Sequence, residues 1–301
     1  VDKKDVVQKL LESRLLVSPK IIDKITDKNI NDYIQNTKTL IVDPPINQSQ
    51  INVVFRKKKI KNKLTIQDFV KYYNNMYEHL RKILLKKTEA TSINKVGGIS
   101  SEVTVIGMVK EPDSGGFILE DTTGHITVIS NTMPKINSVI AVTGVVRENK
   151  LFKKDITYPD IPLPKTIPTI GANILFTTNR EIERDGYNII FTSTKEEAPG
   201  IYNIESNPSW AEVDMGSQKI TVLIYKTEEA IMETDVVNHL KTRMLPMKTT
   251  TPNTNILIDT VPDLIWLIQE PEWMKNYKGI TLISTSTSAS VDMKTREVKL
   301  L

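Results

Sequence analysis

Hydrophobic positions near the start of the chain recur at helical spacing. Val6, Val7, Leu10, Leu11 and Leu15 form one stripe. Ser18-Pro19 supplies an N-cap followed by proline at a first helical position, which opens a second short helix over 20–25. A third is expected over 27–33. Residues 1–36 therefore read as a helical module. Residues 37–64 read as a flexible linker, with Pro44-Pro45 and an Asn/Gln/Ser tract. A stronger helical signal follows within 65–96. Thr65-Ile66-Gln67-Asp68 resembles a capping box, and Phe69, Tyr72, Tyr73, Met76, His79, Leu80, Ile83 and Leu84 recur at three and four. The helix ends in Arg81, Lys82, Lys86 and Lys87, cations suited to a C-terminus.

After Gly97-Gly98 the period changes to two. Five short β-branched runs are expected as strands over 102–109, 117–120, 125–130, 138–146 and 151–158. Their spacing within 97–160, with one longer connection after the third, fits a five-stranded OB-fold β-barrel; an SH3-like barrel is the competitor. Only Phe117, Phe152 and Tyr158 are available on these strands for stacking on bases, which favours a scaffold barrel over a strand-binding one. Pro159, Pro162, Pro164 and Pro168 then mark a semi-extended hinge. Beyond it, within 161–301, apolar runs at 174–176, 188–191, 220–225, 255–258, 264–268, 279–283 and 297–301 read as strands, with one helix at 233–244. The class is multi-domain α+β, ending in a sandwich of sheets with few helices.

Charge alters this picture only locally. The formal net charge is +4, yet Arg56, Lys57, Lys58, Lys59, Lys61 and Lys63 fall within eight residues. The run is either a solvated linker or a phosphate-contacting patch. No cysteine is present, which excludes disulfides, thiolate metal sites and cysteine nucleophiles. Three scattered histidines, His79, His125 and His239, leave little for a hydrolytic metal centre. No Walker-type glycine loop or nucleophile elbow is found. Asp259, Asp263 and Glu270 lie near one expected strand edge but have no histidine beside them. With no apolar run of spanning length, the expectation is a soluble, cytoplasmic chain without a membrane segment or cofactor.

Several segments carry a family likeness. They are Asp68 to Tyr73 with Leu80 to Leu84, Val105 to Val109, Leu119 to Gly124, Tyr158 to Pro162, Asn207 to Trp210 with Val222 to Tyr225, and Val261 to Ile265 with Tyr277 to Ser284. In this order they resemble the small subunit of archaeal family D DNA polymerases, related to the B subunits of eukaryotic replicative polymerases. The resemblance implies a helical module, an OB-fold and a reduced calcineurin-like phosphoesterase α/β sandwich. Active members hold two metals there and degrade DNA from the 3′ end.

This sequence departs from that pattern where the resemblance puts the metal ligands. The corresponding positions are Thr178 to Arg180, Thr192-Ser193, Lys226, Gln269 and Pro271, and no Gly-Asn-His-Asp segment is present. Lys226 and Arg180 either replace lost positive charge or simply face solvent. The reading is an inactivated domain in a non-catalytic subunit, partnered by the large catalytic subunit and, through the complex, by DNA. Trp266 and Trp273, which flank the degenerate loop, are expected to face that partner. A nuclease with relocated ligands and a free-standing single-strand-binding protein are the alternatives.

Overall fold

The computed structural model describes residues 3–13, 16–17, 25, 30, 41–42, 51–56, 65–99, 101–164, 171–215, 218–227, 229–246 and 255–301. At the N-terminus, helix α1 (Lys3–Glu12) buries Val6 and Leu10, and the short strands β1 (Leu16–Val17) and β2 (Ile41–Val42) pair in parallel. Most of the second and third expected helices lies outside the described residues.

The linker expected over 37–64 is interrupted at 52–55. Asn52–Phe55 is a strand, β3, and pairs antiparallel with a strand more than 150 residues later. Its residues alternate exposed and half-buried. Phe55 packs edge-on against Phe191, ring centroids 6.2 Å apart. The burial of Val53 and Phe55 drives this pairing, and a run of only four residues beside a basic tract hid it.

Helix α2 (Ile66–Leu85) starts as its sequence predicts. The Thr65 hydroxyl accepts from the Asp68 amide, and Asp68 accepts from the Thr65 amide at 3.0 Å. Met76, Tyr77, Leu80 and Leu84 form its buried stripe. Each such side chain contributes about 1.5–3 kcal/mol of transfer free energy.

The barrel comprises β4 (Glu102–Asp113), β5 (Gly116–Asp121), β6 (Gly124–Ile129), β7 (Val139–Arg147) and β8 (Lys150–Thr157). It closes in the order β4-β5-β6-β8-β7, with β6 and β8 parallel and β4 returning to β7. All five strands overlap the expected runs. Val105 and Val109 point into the barrel, whereas Ile106 and Met108 point out against α2. This two-sided burial explains the unbroken run without a polar side chain over 105–109. Gly144 sits at a bulge where a Cβ would lie 2.1 Å from the Phe152 carbonyl oxygen, so only glycine lets β7 and β8 close there.

The C-terminal part is a sandwich. One sheet holds parallel strands β9 (Asn173–Thr177), β10 (Ile189–Thr192) and β11 (Ile201–Asn203). The second holds β12 (Ser209–Asp214) and β13 (Lys219–Lys226), after which come helix α3 (Glu233–Thr242) and the hairpin β14 (Met244–Pro246) and β15 (Asn255–Leu257). The chain then adds β16 (Leu264–Ile268), β17 (Trp273–Tyr277) and β18 (Ile280–Ser284) to the second sheet, and β19 (Ser288–Asp292) and β20 (Glu297–Leu300) to the first. The orders are β11-β10-β9-β19-β20 and β17-β18-β16-β13-β12-β3.

Alternate residues of β13 and β16 serve two cores. Val222, Ile224, Leu264 and Trp266 pack between the sheets, whereas Leu223, Tyr225, Ile265 and Leu267 pack against α3. No helix among the described residues is long and apolar enough to cross a membrane.

The proline-rich segment was expected to be a spacer between domains, but its first residues are a fixed junction. Asp160 has a positive φ, and its amide donates to the Lys241 carbonyl at 2.7 Å. Its own carbonyl accepts from Arg243 Nε at 2.8 Å, and its carboxylate accepts from the Tyr277 hydroxyl at 3.0 Å and from Lys278. Lys87, just past α2, donates to the Tyr158 and Pro159 carbonyls. Burial works against the Asp160 charge, but the Lys278 and Tyr277 hydrogen bonds outweigh it and hold the carboxyl below its usual range. Tyr277, half-buried and donating to that carboxylate, is pushed up to about 12. Asp160→Asn weakens the charge-assisted bonds from Lys278 and is expected to cost about 2 kcal/mol, read as a lower urea midpoint at pH 7.

Candidate functional site

Strands β9, β10 and β11 run parallel to one another, as do β13, β16 and β18. The chain leaves each set at carboxyl ends, the edge where α/β sheets place their ligands. The segment 285–287, which leads from β18 to β19, joins the two edges. The Thr285 amide donates to the Leu267 carbonyl at 3.1 Å, and the Thr178 amide donates to the Thr287 carbonyl at 2.9 Å. Thr178, Asn179, Arg180, Ser193, Lys226, Gln269 and Pro271 all lie at or just after these ends. The positions singled out by the resemblance are thus gathered at strand ends.

Hydroxyls and one carboxamide dominate what stands there. Gln269 is buried and uses all four of its hydrogen-bonding sites. Its Oε1 accepts from Thr227 Oγ1 at 2.7 Å and from the Ile231 amide at 2.9 Å. Its Nε2 donates to the Ile231 carbonyl at 2.7 Å and to Ser284 Oγ at 3.0 Å. Ser284 in turn donates to the Pro271 carbonyl at 2.7 Å. Thr178 Oγ1 donates to the Ser286 carbonyl at 2.7 Å, and Thr177 and Ser288 share a bond of 2.7 Å. Glu272 accepts from Thr285 Oγ1 at 2.7 Å and from Thr287 Oγ1 at 3.2 Å, and Glu270 accepts from Ser286.

Divalent metals in hydrolytic centres are held by imidazoles and clustered carboxylates. The three histidines are elsewhere, on α2, at the start of β6 and on α3. Among the described residues no group of three or more His, Asp or Glu could hold a metal ion. Asp263 accepts from the Thr221 amide at 2.8 Å, and burial pushes its carboxyl up. His239 is lowered to about 4 by burial and by the neighbouring Lys135 cation, and its Nδ1 lies 3.1 Å from the Met244 carbonyl. The residues at the strand ends therefore do not fit the metal pair that the resemblance implies for active members. Lys226 and Arg180 are exposed.

The loops after β9 and β10 are locked together by a pair the sequence did not advertise. Both Arg184 Nη atoms donate to the Glu196 carboxylate, and Asn203 bonds the Glu196 backbone in both directions. The Arg184 hydrogen bonds, with help from Thr194, lower Glu196 to about 2.

The structure places Arg56 at a sheet edge and both tryptophans, against expectation, in the core. Arg56 belongs to the sheet edge, ion-paired to Glu212, bonded to Thr260 Oγ1 at 3.1 Å and stacked 5.4 Å from the Trp210 ring centroid. Its side chain is thus already engaged with the protein while staying partly exposed. Lys57, Lys58, Lys59, Lys61 and Lys63 lie outside the described residues. Trp266 is fully buried against Phe176, ring centroids 5.2 Å apart, and its Nε1 donates to the Thr285 carbonyl. Trp273 is buried against the α3 side and donates to the Ile231 carbonyl at 3.1 Å. Both indoles organise the strand ends from within instead of facing a partner.

No protein-family model matches the chain. Among curated proteins, the chain is 26% identical over 186 residues to the DNA polymerase II small subunit of Archaeoglobus fulgidus. The match covers 58% of this chain and 36% of that protein, so the chain accounts for little more than a third of its relative's length. The chain is related to the small subunits of family D polymerases.

Two outcomes follow from the strand-end geometry. Gln269→Ala strands the Ile231 amide and carbonyl and is expected to cost about 3 kcal/mol, read from chemical denaturation. Glu196, whose folded pKa is depressed, stabilises the fold above its unfolded pKa, and that contribution is lost as pH falls through the folded one. The gap in urea midpoint between the parent chain and Glu196→Gln should therefore be full near pH 6 and close between about pH 4.5 and pH 2.

Proposed function

We propose that this chain is a non-catalytic accessory subunit of a replicative DNA polymerase, which binds and stabilises the large catalytic subunit. The barrel is read as an OB-fold and the two-sheet sandwich as a calcineurin-like phosphoesterase domain that has lost its chemistry. The observation that carries this is Gln269. Where the resemblance expects a metal-binding histidine, a buried carboxamide spends every hydrogen bond on the protein itself. A ligand position rebuilt as a structural tie is what a scaffold needs and a hydrolase does not.

The strand order β4-β5-β6-β8-β7 supports the OB reading, since a Greek-key closure of five strands is that fold's pattern. Relationship to a polymerase small subunit supports the choice of partner. In this reading DNA is reached through the complex, with Lys57, Lys58, Lys59, Lys61 and Lys63 as phosphate contacts beside it. The site of action is the cytoplasm. No metal or organic cofactor is required of this subunit.

The test is co-expression of the tagged chain with the polymerase large subunit from the same genome. Stoichiometric recovery of the large subunit through purification at moderate salt is expected. A chain recovered alone, or one that degrades a 3′-labelled strand in a manganese-dependent and chelator-sensitive way, overturns the reading.

A further inference from the structure

Three cations from distant parts of the chain meet at the corner between barrel and sandwich. Lys87 follows α2, Arg243 ends α3, and Lys278 lies in the turn between β17 and β18. Each feels the same carboxylate, Asp160. No second acid is among the charges that act on Lys87 or Arg243. The two helix C-termini beside them carry about half a negative charge each, which offsets one cation at most. About one positive charge therefore stays unmet at this corner.

Arg243 is the unusual member. It is only 6% exposed, and a guanidinium stays charged inside a protein. Its Nε donates to the Asp160 carbonyl, and no other side-chain hydrogen bond or ion pair joins it among the described residues. Its Nη hydrogens are thus left without a protein partner. Burial holds the group below its ordinary pKa, with Asp160 working the other way. A buried charge with donors unspent calls for a ligand or an ordered water. Lys87 and Lys278 have three donors each and spend two. Lys87 uses them on the Tyr158 and Pro159 carbonyls, Lys278 on the Asp160 carboxylate and the Ile161 carbonyl. Lys87 is exposed and Lys278 half-buried, so solvent reaches the corner. Asp160, Arg243 and Lys278 also share a positive φ, at 46°, 55° and 47°. Backbone strain of this kind gathers where side chains are held for a ligand.

We propose that this corner is an anion site for a terminal phosphate group, gripped by the Arg243 fork with Lys87 and Lys278 as point charges. A planar guanidinium fork matches two phosphate oxygens at once, and each lysine has one donor left for the same group. Phosphate suits the corner better than a carboxylate, because it offers three strong acceptor oxygens and carries about −1.5 to −2 charge at pH 7. The shared chemistry is a phosphate with free terminal oxygens, whether inorganic or on a nucleotide. Bound there, it bridges the end of α2, the end of α3 and the β17–β18 turn, and so stiffens the junction of barrel and sandwich. The site does not depend on the polymerase assignment, so the two can fail separately.

The test is titration calorimetry of the full 301-residue chain with inorganic phosphate and, separately, with thymidine monophosphate, at constant ionic strength set by chloride. The background carries Lys57→Ala, Lys58→Ala, Lys59→Ala, Lys61→Ala and Lys63→Ala, which removes the basic run as a competing contact. One saturable site is expected, and the tighter of the two probes identifies the source of the phosphate. Lys87→Gln and Lys278→Gln should each weaken binding about tenfold. The thermal midpoint of the background should rise with phosphate and level off at saturation, and the rise should shrink in Lys87→Gln. Lys87 is exposed, so its variant loses binding while staying folded in chloride; Lys278→Gln, which also removes a partner of Asp160, is the second check. Three results overturn the proposal: no saturable binding of either probe, equal affinity for the background and folded Lys87→Gln, or a midpoint that climbs linearly with phosphate as for a general salt effect. Loss of large-subunit capture in Lys87→Gln with no phosphate binding by the background also overturns it, and makes the corner a protein contact.

Discussion

The arrangement of barrel and sandwich depends on one residue. Asp160 leaves the barrel in a backbone conformation that most side chains avoid, and four groups from the C-terminal part hold it there: the Lys241 carbonyl, Arg243, Tyr277 and Lys278. Its half-buried carboxylate is met by Lys278 and a hydroxyl donor, and removing one partner leaves the others less well satisfied. Lys87 ties the end of α2 to the same turn. The apolar counterpart is the cluster in which α2, the outer barrel face and Met244 of the β14 hairpin share one core. Together these contacts make a rigid corner of a segment rich in proline.

Several features were legible in the sequence because local chemistry and burial agree. The capping box at Thr65 and Asp68 starts α2 where expected, and five alternating runs became the five barrel strands. The runs over 220–225 and 264–268 are strands buried on both faces, which is why they lack alternation. Other features depend on long-range partners. β3 is four residues long and is a strand only because β12, over 150 residues away, offers an edge and an apolar seat for Phe55. The Arg184–Glu196 tie and the Asp160 junction are pairings of common surface residue types, which no spacing rule reveals. Tryptophan misled for a related reason, since Trp266 and Trp273 each have one buried polar bond that makes a core position comfortable.

The carboxyl ends of the parallel strands carry a polar network whose bonds are directed inward. Thr and Ser hydroxyls bridge the two sheets, Gln269 closes the gap to Ile231, and the two glutamates at the rim accept from hydroxyls of the 285–287 segment. The hydroxyls and the carboxamide are neutral donors matched to carbonyl and carboxylate acceptors, an arrangement that gains stability from completeness.

The most direct measurement of this account is titration calorimetry of the purified chain with manganese, paired with metal analysis of the protein as isolated. The account predicts no saturable heat and metal well below one equivalent per chain, because Gln269 and its neighbours have no coordination left to give. Stoichiometric binding that Gln269→Ala abolishes would contradict it, since the strand ends would then be a working metal centre and not a structural tie.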